Sequence, residues 1–128
     1  MNLLIFCLLI AVLLPILSKI PLMIAMKNEG GYDNNYPRDQ QARLTGFGAR
    51  ALAAHKNSFE SLTVFGLAIL CAMVSNTISP VVQSLAVLYI IFRLMYHVAY
   101  LKDQATLRSL VWGMSYLCSL IILGLCIS

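Results

Sequence analysis

Three short stretches of this chain carry ionisable, amide and phenolic side chains among apolar neighbours. In "RALAAHKNSFESLTVF", Asn57 follows Arg50 by seven residues and Glu60 follows Asn57 by three. At about 100° per residue, that spacing puts all three on one stripe of a helix. "FRLMYHVAYL" repeats the device, with Tyr96, His97 and Tyr100 three, four and seven residues after Arg93. "TLRSLVWGMSY" opens with Arg108 and Ser109 and runs on to Trp112 and Ser115. Gathered at one depth, these groups would bind a polar or anionic ligand through charge-assisted hydrogen bonds. Glu60 is the one carboxylate inside an apolar run, so Arg93–Glu60 is the expected ion pair. Lys56 could pair with Glu60 along the helix, four residues away. His55 is expected to turn away, toward the lipid headgroups.

The elements that position these groups follow from composition. The 128 residues are 60% hydrophobic and 11% charged, where ordinary globular chains hold about 45–50% and about 25%. A membrane span takes ~20 mostly apolar residues. Four windows qualify, at about 2–26, 51–75, 79–101 and 107–127. Strand-type alternation is absent, which argues against a β-barrel. The expected fold is an all-α membrane protein, a single domain over residues 1–128 with four transmembrane helices. A polar loop at 27–49 and two short turns connect them, and Thr45 is placed to cap a helix starting near Gly46. The first window lacks a basic leader and a small-x-small cleavage site, so it is expected to stay as an irregular helix containing Lys19 and two prolines.

The nine Lys and Arg residues give a net charge of +4, and their placement is topological. Lys27, Arg38, Arg43 and Arg50 lie in or beside the first connection, and Lys102 and Arg108 flank the third. The second connection, "SNTISP", has no charge. The positive-inside rule then places the first and third connections in the cytoplasm and both termini outside. No clustered basic face marks a nucleic-acid partner. Cys7, Cys71, Cys118 and Cys126 show no C-x-x-C or zinc spacing, so no metal site is expected.

These residues resemble the MAPEG family, the membrane-associated proteins in eicosanoid and glutathione metabolism. The family's second-helix pattern of an arginine, Ala-His-x-Asn and a glutamate is matched by Arg50, Ala54, His55, Asn57 and Glu60. Its third-helix pattern is matched by Arg93 and Tyr100, and its fourth-helix "Arg-Ser" by Arg108 and Ser109. The resemblance implies a homotrimer of four-helix protomers in contact with membrane lipids. It also implies that glutathione, the co-substrate, binds between subunits near the cytoplasmic face. On this resemblance Arg50, Asn57, Glu60, Arg93, Tyr96 and Tyr100 would hold glutathione, while Arg108, Ser109 and Tyr100 would serve catalysis. A cation within ~4–6 Å favours the thiolate, which is the nucleophile for a lipophilic electrophile or a lipid hydroperoxide.

Departures from the family pattern are visible. Tyr96 stands where the eicosanoid enzymes carry histidine, and Trp112 stands where prostaglandin synthase carries tyrosine. The family's first-helix arginine has only Lys19 and Lys27 as candidates. Arg50, Tyr96, Tyr100 and "LRSLVW" look more like bacterial members, which implies the inner membrane. The alternative is a non-enzymatic membrane protein that binds a lipid or a protein partner. A small four-helix exporter fits poorly, because its essential glutamate belongs in the first helix. In a bacterial host, a carboxy-terminal alkaline phosphatase fusion should be active and a green fluorescent fusion dark; the reverse pattern contradicts the orientation.

Overall fold

Four apolar runs of spanning length leave this chain little choice but helices, because lipid offers no partner for an open N–H or C=O. The computed structural model describes residues 1–127. Among these it forms helices α1 (Asn2–Asn28), α2 (Pro37–Arg43), α3 (Gly46–Val74), α4 (Pro80–Leu101) and α5 (Ala105–Leu125), and no strand. All except α2 have the length and hydropathy to cross a membrane. Side chains such as Phe6, Ile16, Leu67 and Leu110 are more than half exposed, the sheath that lipid tails would cover.

Small residues set the packing, as expected where backbones must approach closely in lipid. α1 lies along α3, and α5 packs on both α4 and α3. The main core joins Leu4, Cys7 and Ala11 to Phe65, Ala68 and Ala72, with Tyr89, Cys118 and Ile122 closing it. The Phe65 and Tyr89 rings stack at 3.7 Å, and the Tyr89 hydroxyl lies 2.7 Å from Ser61 Oγ. A second cluster, Leu22, Met26, Leu44 and Ala51, seals the opposite end. There Gly48 has no room for a side chain: an added Cβ would lie 3.1 Å from Leu44 Cβ and 3.2 Å from Ala25 Cβ.

Sequence and structure differ in the first connection. It contains α2, and α3 starts at Gly46, where the position of Thr45 puts a helix start and ahead of the apolar window at 51. Two glycines and Arg50 dilute Phe47 and Ala49 at this end, so a hydropathy window starts later than the helix. At 1.5 Å per residue α1 and α3 are roughly 40 Å long, about 10 Å more than the hydrocarbon is thick. α2 packs on the start of α3 and is tied to the end of α1. Thr45 is the residue before α3, but its side chain makes no capping bond. Ser79 does cap α4, accepting from Val82 N at 3.2 Å. α1 runs unbroken through Pro15 and Pro21.

One side chain ties α2 to α1. Gln40, 5% exposed, donates from Nε2 to the carbonyls of Met26 at 3.0 Å and Gly31 at 2.8 Å, and its Oε1 accepts from Asp33 N at 2.9 Å. Gln40→Ala abandons all three bonds and leaves buried groups unpaired, so we expect a loss of about 1–3 kcal/mol. Hydrogen exchange should quicken over residues 31–43 and stay unchanged in α4 and α5.

Candidate functional site

The polar residues of the three spanning helices meet where α3, α4 and α5 converge. Arg93 is the most costly of them, a guanidinium only 1% exposed in the bundle. An ionised side chain at such depth costs at least ~2.5–3.5 kcal/mol. Its Nη2 donates to Asn57 Oδ1 at 2.9 Å, and Asn57 Nδ2 donates to Glu60 Oε2 at 2.9 Å. The direct Arg93–Glu60 pair expected from sequence is therefore replaced by a relay through the Asn57 amide. An amide with a donor and an acceptor on one carbon suits this task, since it presents the oxygen to the cation and the N–H to the carboxylate. Arg93 Nη1 is buried with no partner.

From Arg93 a ladder of cations and rings climbs toward the α4–α5 connection. The Arg93 guanidinium lies 4.2 Å from the Tyr96 ring centre. Tyr96 meets Tyr100 edge to face at 5.5 Å, and the Arg108 guanidinium lies 4.6 Å above the Tyr100 ring. Offsets of three and four residues put Arg93, Tyr96 and Tyr100 on one face of α4, and α5 brings Arg108 over the last ring. Cation–π contacts of this kind contribute about 0.5–2 kcal/mol each, more when water is excluded. The sequence-predicted residues Asn57, Glu60, Arg93, Tyr96, Tyr100 and Arg108 thus form one connected series.

The remaining predicted residues stand at its margin. Arg50 Nη1 approaches Asp103 Oδ2 at 3.9 Å, so it ties α3 to the α4–α5 turn, and its Nε is buried without a partner. Ser109 is exposed on the first turns of α5. Ser115 is buried and donates to the Trp112 carbonyl at 2.8 Å. Below the ladder a cleft of about 250 Å³ separates α3 from α5, with Asn57, Glu60, Ser61, Trp112 and Ser115 in its walls. It joins polar walls to apolar ones. A larger groove of about 700 Å³ at the far end of α3 and α5 is almost wholly apolar, lined by residues such as Leu70, Val74 and Leu123, and belongs to the lipid-facing surface.

A second polar cluster lies on the other side of α3. His55 Nδ1 stands 3.0 Å from both Ser18 Oγ and the Pro15 carbonyl oxygen. A carbonyl can only accept, so Nδ1 carries the proton. Ser58 Oγ lies 3.0 Å from His97 Nε2 and 3.4 Å from Ser18 Oγ. This corrects two expectations. His55 turns inward to α1 rather than toward the headgroups, and His97 leaves the Arg93 face to bond Ser58. Lys56 makes no ion pair with Glu60; among the described residues the one recorded ion pair is Arg50–Asp103. Ser18 interrupts an apolar run and Ser58 lies among polar residues, but neither carries a charge that would single it out as a histidine partner. No group of His, Cys, Asp or Glu able to hold a metal ion occurs among the described residues.

Four helices of spanning length and hydropathy, packed around a buried guanidinium, define an integral, multi-pass membrane protein. The chain belongs to the MAPEG family, whose model matches residues 3–128. No curated protein and no solved structure matches it.

The relay predicts an asymmetry between substitutions. Asn57→Ala removes both links and strands a buried cation, which should cost about 1.5–3 kcal/mol. Asn57→Gln keeps both functional groups and should recover part of that loss. Equal melting temperatures for wild type and Asn57→Ala in detergent would show that the relay contributes nothing.

Proposed function

We propose that this chain is a glutathione-dependent membrane transferase or peroxidase acting on lipophilic electrophiles or lipid hydroperoxides. The observation that carries the reading is the unbroken series Glu60–Asn57–Arg93–Tyr96–Tyr100–Arg108, which lines polar groups along the inner end of an apolar bundle. Arg93 and Arg108 are cations without an ion-pair partner among the described residues, and glutathione brings carboxylates and a thiol. Asn57, Glu60, Arg93 and Tyr96, with Arg50 at the rim, would hold the peptide.

In the mechanism, Arg108 favours the thiolate over the thiol, because a nearby cation stabilises the charged form. The hydroxyl of Tyr100 or Ser109 donates a hydrogen bond to the sulfur. With a carbon electrophile, the thiolate forms the S–C bond and the leaving group departs with its electron pair. With a hydroperoxide, the sulfur attacks the terminal oxygen, the O–O bond breaks and the lipid alcohol leaves. The alcohol leaves as its alkoxide and takes its proton from water, and the sulfenic acid left on the sulfur condenses with the thiol of a second glutathione to give the disulfide and water. The lipophilic substrate reaches the cleft from the membrane.

Glu60 supports a homotrimer. It is exposed on a spanning helix, halfway along α3, and a carboxylate does not sit bare against lipid tails. A second copy packed on this face would cover it and would close the site. The second reading, a non-enzymatic member that uses the relay for assembly or for a lipid or protein partner, rests on the same exposed carboxylate. We place the protein in a bacterial inner membrane with the α1–α3 and α4–α5 connections in the cytoplasm.

Glutathione should raise the melting temperature of purified protein, since a ligand that binds only the folded state stabilises it. Arg108→Ala should lower conjugation or peroxidase turnover at least tenfold without disturbing the oligomer. Equal turnover in the variant, or no glutathione-dependent shift, overturns the enzymatic reading. Glu60→Gln dispersing the oligomer while glutathione has no effect would favour the assembly reading.

A further inference from the structure

On the face of α3 that looks toward α2, away from the relay, is a recess of about 330 Å³. Arg38 and Gln41 from α2 and His55, Lys56 and Phe59 from α3 line it. Its walls carry two fixed cations and no carboxylate. Neither Arg38 nor Lys56 has a recorded ion pair among the described residues, where the one such pair is Arg50–Asp103. The recess is also held in shape from behind. Gln40 ties α2 to the end of α1 through its three hydrogen bonds, and Gln41 Nε2 reaches Met26 Sδ at 3.8 Å. His55 is fixed by Ser18 and Pro15 through Nδ1, which leaves Nε2 as an acceptor in the neutral ring.

Position narrows the ligand. α1 and α3 outrun the hydrocarbon by about 10 Å, and α2 packs on the start of α3 near the basic residues Lys27 and Arg50, an arrangement that argues for the level of phospholipid headgroups. A cation pair at that level suits a phosphate, for which arginine offers a forked set of donors and lysine a point charge. The His55 acceptor suits a hydroxyl. Phe59, 53% exposed, offers an apolar wall where a glycerol backbone would pass.

We propose that this recess binds a phosphate-bearing anion with a neighbouring hydroxyl, drawn from an anionic phospholipid headgroup, the membrane's own source of that chemistry. Arg38 and Lys56 take the phosphate and His55 Nε2 accepts from the headgroup hydroxyl. The site is separate from the relay and stands whether or not glutathione binds there.

The test uses the full-length protein in detergent, with the double substitution Arg38→Gln, Lys56→Gln and, separately, Arg108→Ala. Melting curves are recorded with phosphatidylglycerol, with phosphatidylcholine and with inorganic phosphate. Phosphatidylglycerol should stabilise wild type and Arg108→Ala alike, phosphatidylcholine should not, and the double variant should need at least tenfold more phosphatidylglycerol for the same shift. Inorganic phosphate giving the full shift by itself would move the ligand to a soluble phosphate and overturn the lipid source. An equal phosphatidylglycerol response in wild type and double variant, or none in wild type, overturns the site. Because glutathione is absent throughout, failure here leaves the thiol reading untouched, and failure of the thiol reading leaves this one standing.

Discussion

A guanidinium has no good place in a membrane bundle, and Arg93 sits in one at 1% exposure. The structure meets that cost by distributing the charge rather than cancelling it at contact. Asn57 takes one N–H from Arg93 and passes the polarisation to Glu60, while the Tyr96 ring faces the cation. Every helix around the site is constrained by this arrangement. α3 must present Asn57 and Glu60 on one stripe, α4 must turn Arg93 and Tyr96 toward it, and α5 must bring Arg108 over Tyr100. A direct salt bridge would have needed only two residues; the relay needs a third, Asn57, and the ring ladder to Arg108 brings in a third helix.

The same constraint explains the division of polar chemistry around α3. One side of the helix carries the relay and the cleft beside Trp112 and Ser115. The other holds the Ser18–His55 and Ser58–His97 contacts, which fasten α1 and α4 to it. Both sets are spaced by helical turns; Ala51 packs with Leu22 and Ala25 of α1, and Ala54 with Tyr96 of α4 and Val111 of α5. α3 is therefore the axis of the molecule, touching each of the other four helices.

Much of this was legible in the sequence, for reasons that differ by residue. Hydropathy found the four spans, because apolar length is what the bilayer demands. Helical phase found Asn57, Glu60, Arg93, Tyr96 and Tyr100, because offsets of three, four and seven share a face. It could not tell that an amide would stand between Arg93 and Glu60, since both arrangements have the same phase. It misplaced His55 and His97, whose partners Ser18 and Ser58 are uncharged hydroxyls on other helices that sequence spacing does not pair with them. α2 escaped because a short polar helix tied by Gln40 has neither the length nor the periodicity to stand out.

The central claim is that the series from Glu60 to Arg108 holds a thiol ligand as its thiolate and is not bundle packing alone. The most direct measurement is the ultraviolet difference spectrum of glutathione added to the purified protein at neutral pH. The account predicts a thiolate absorption band that saturates with glutathione in the wild type and is absent in Arg108→Ala. No band in the wild type, or an equal band in the variant, would contradict it.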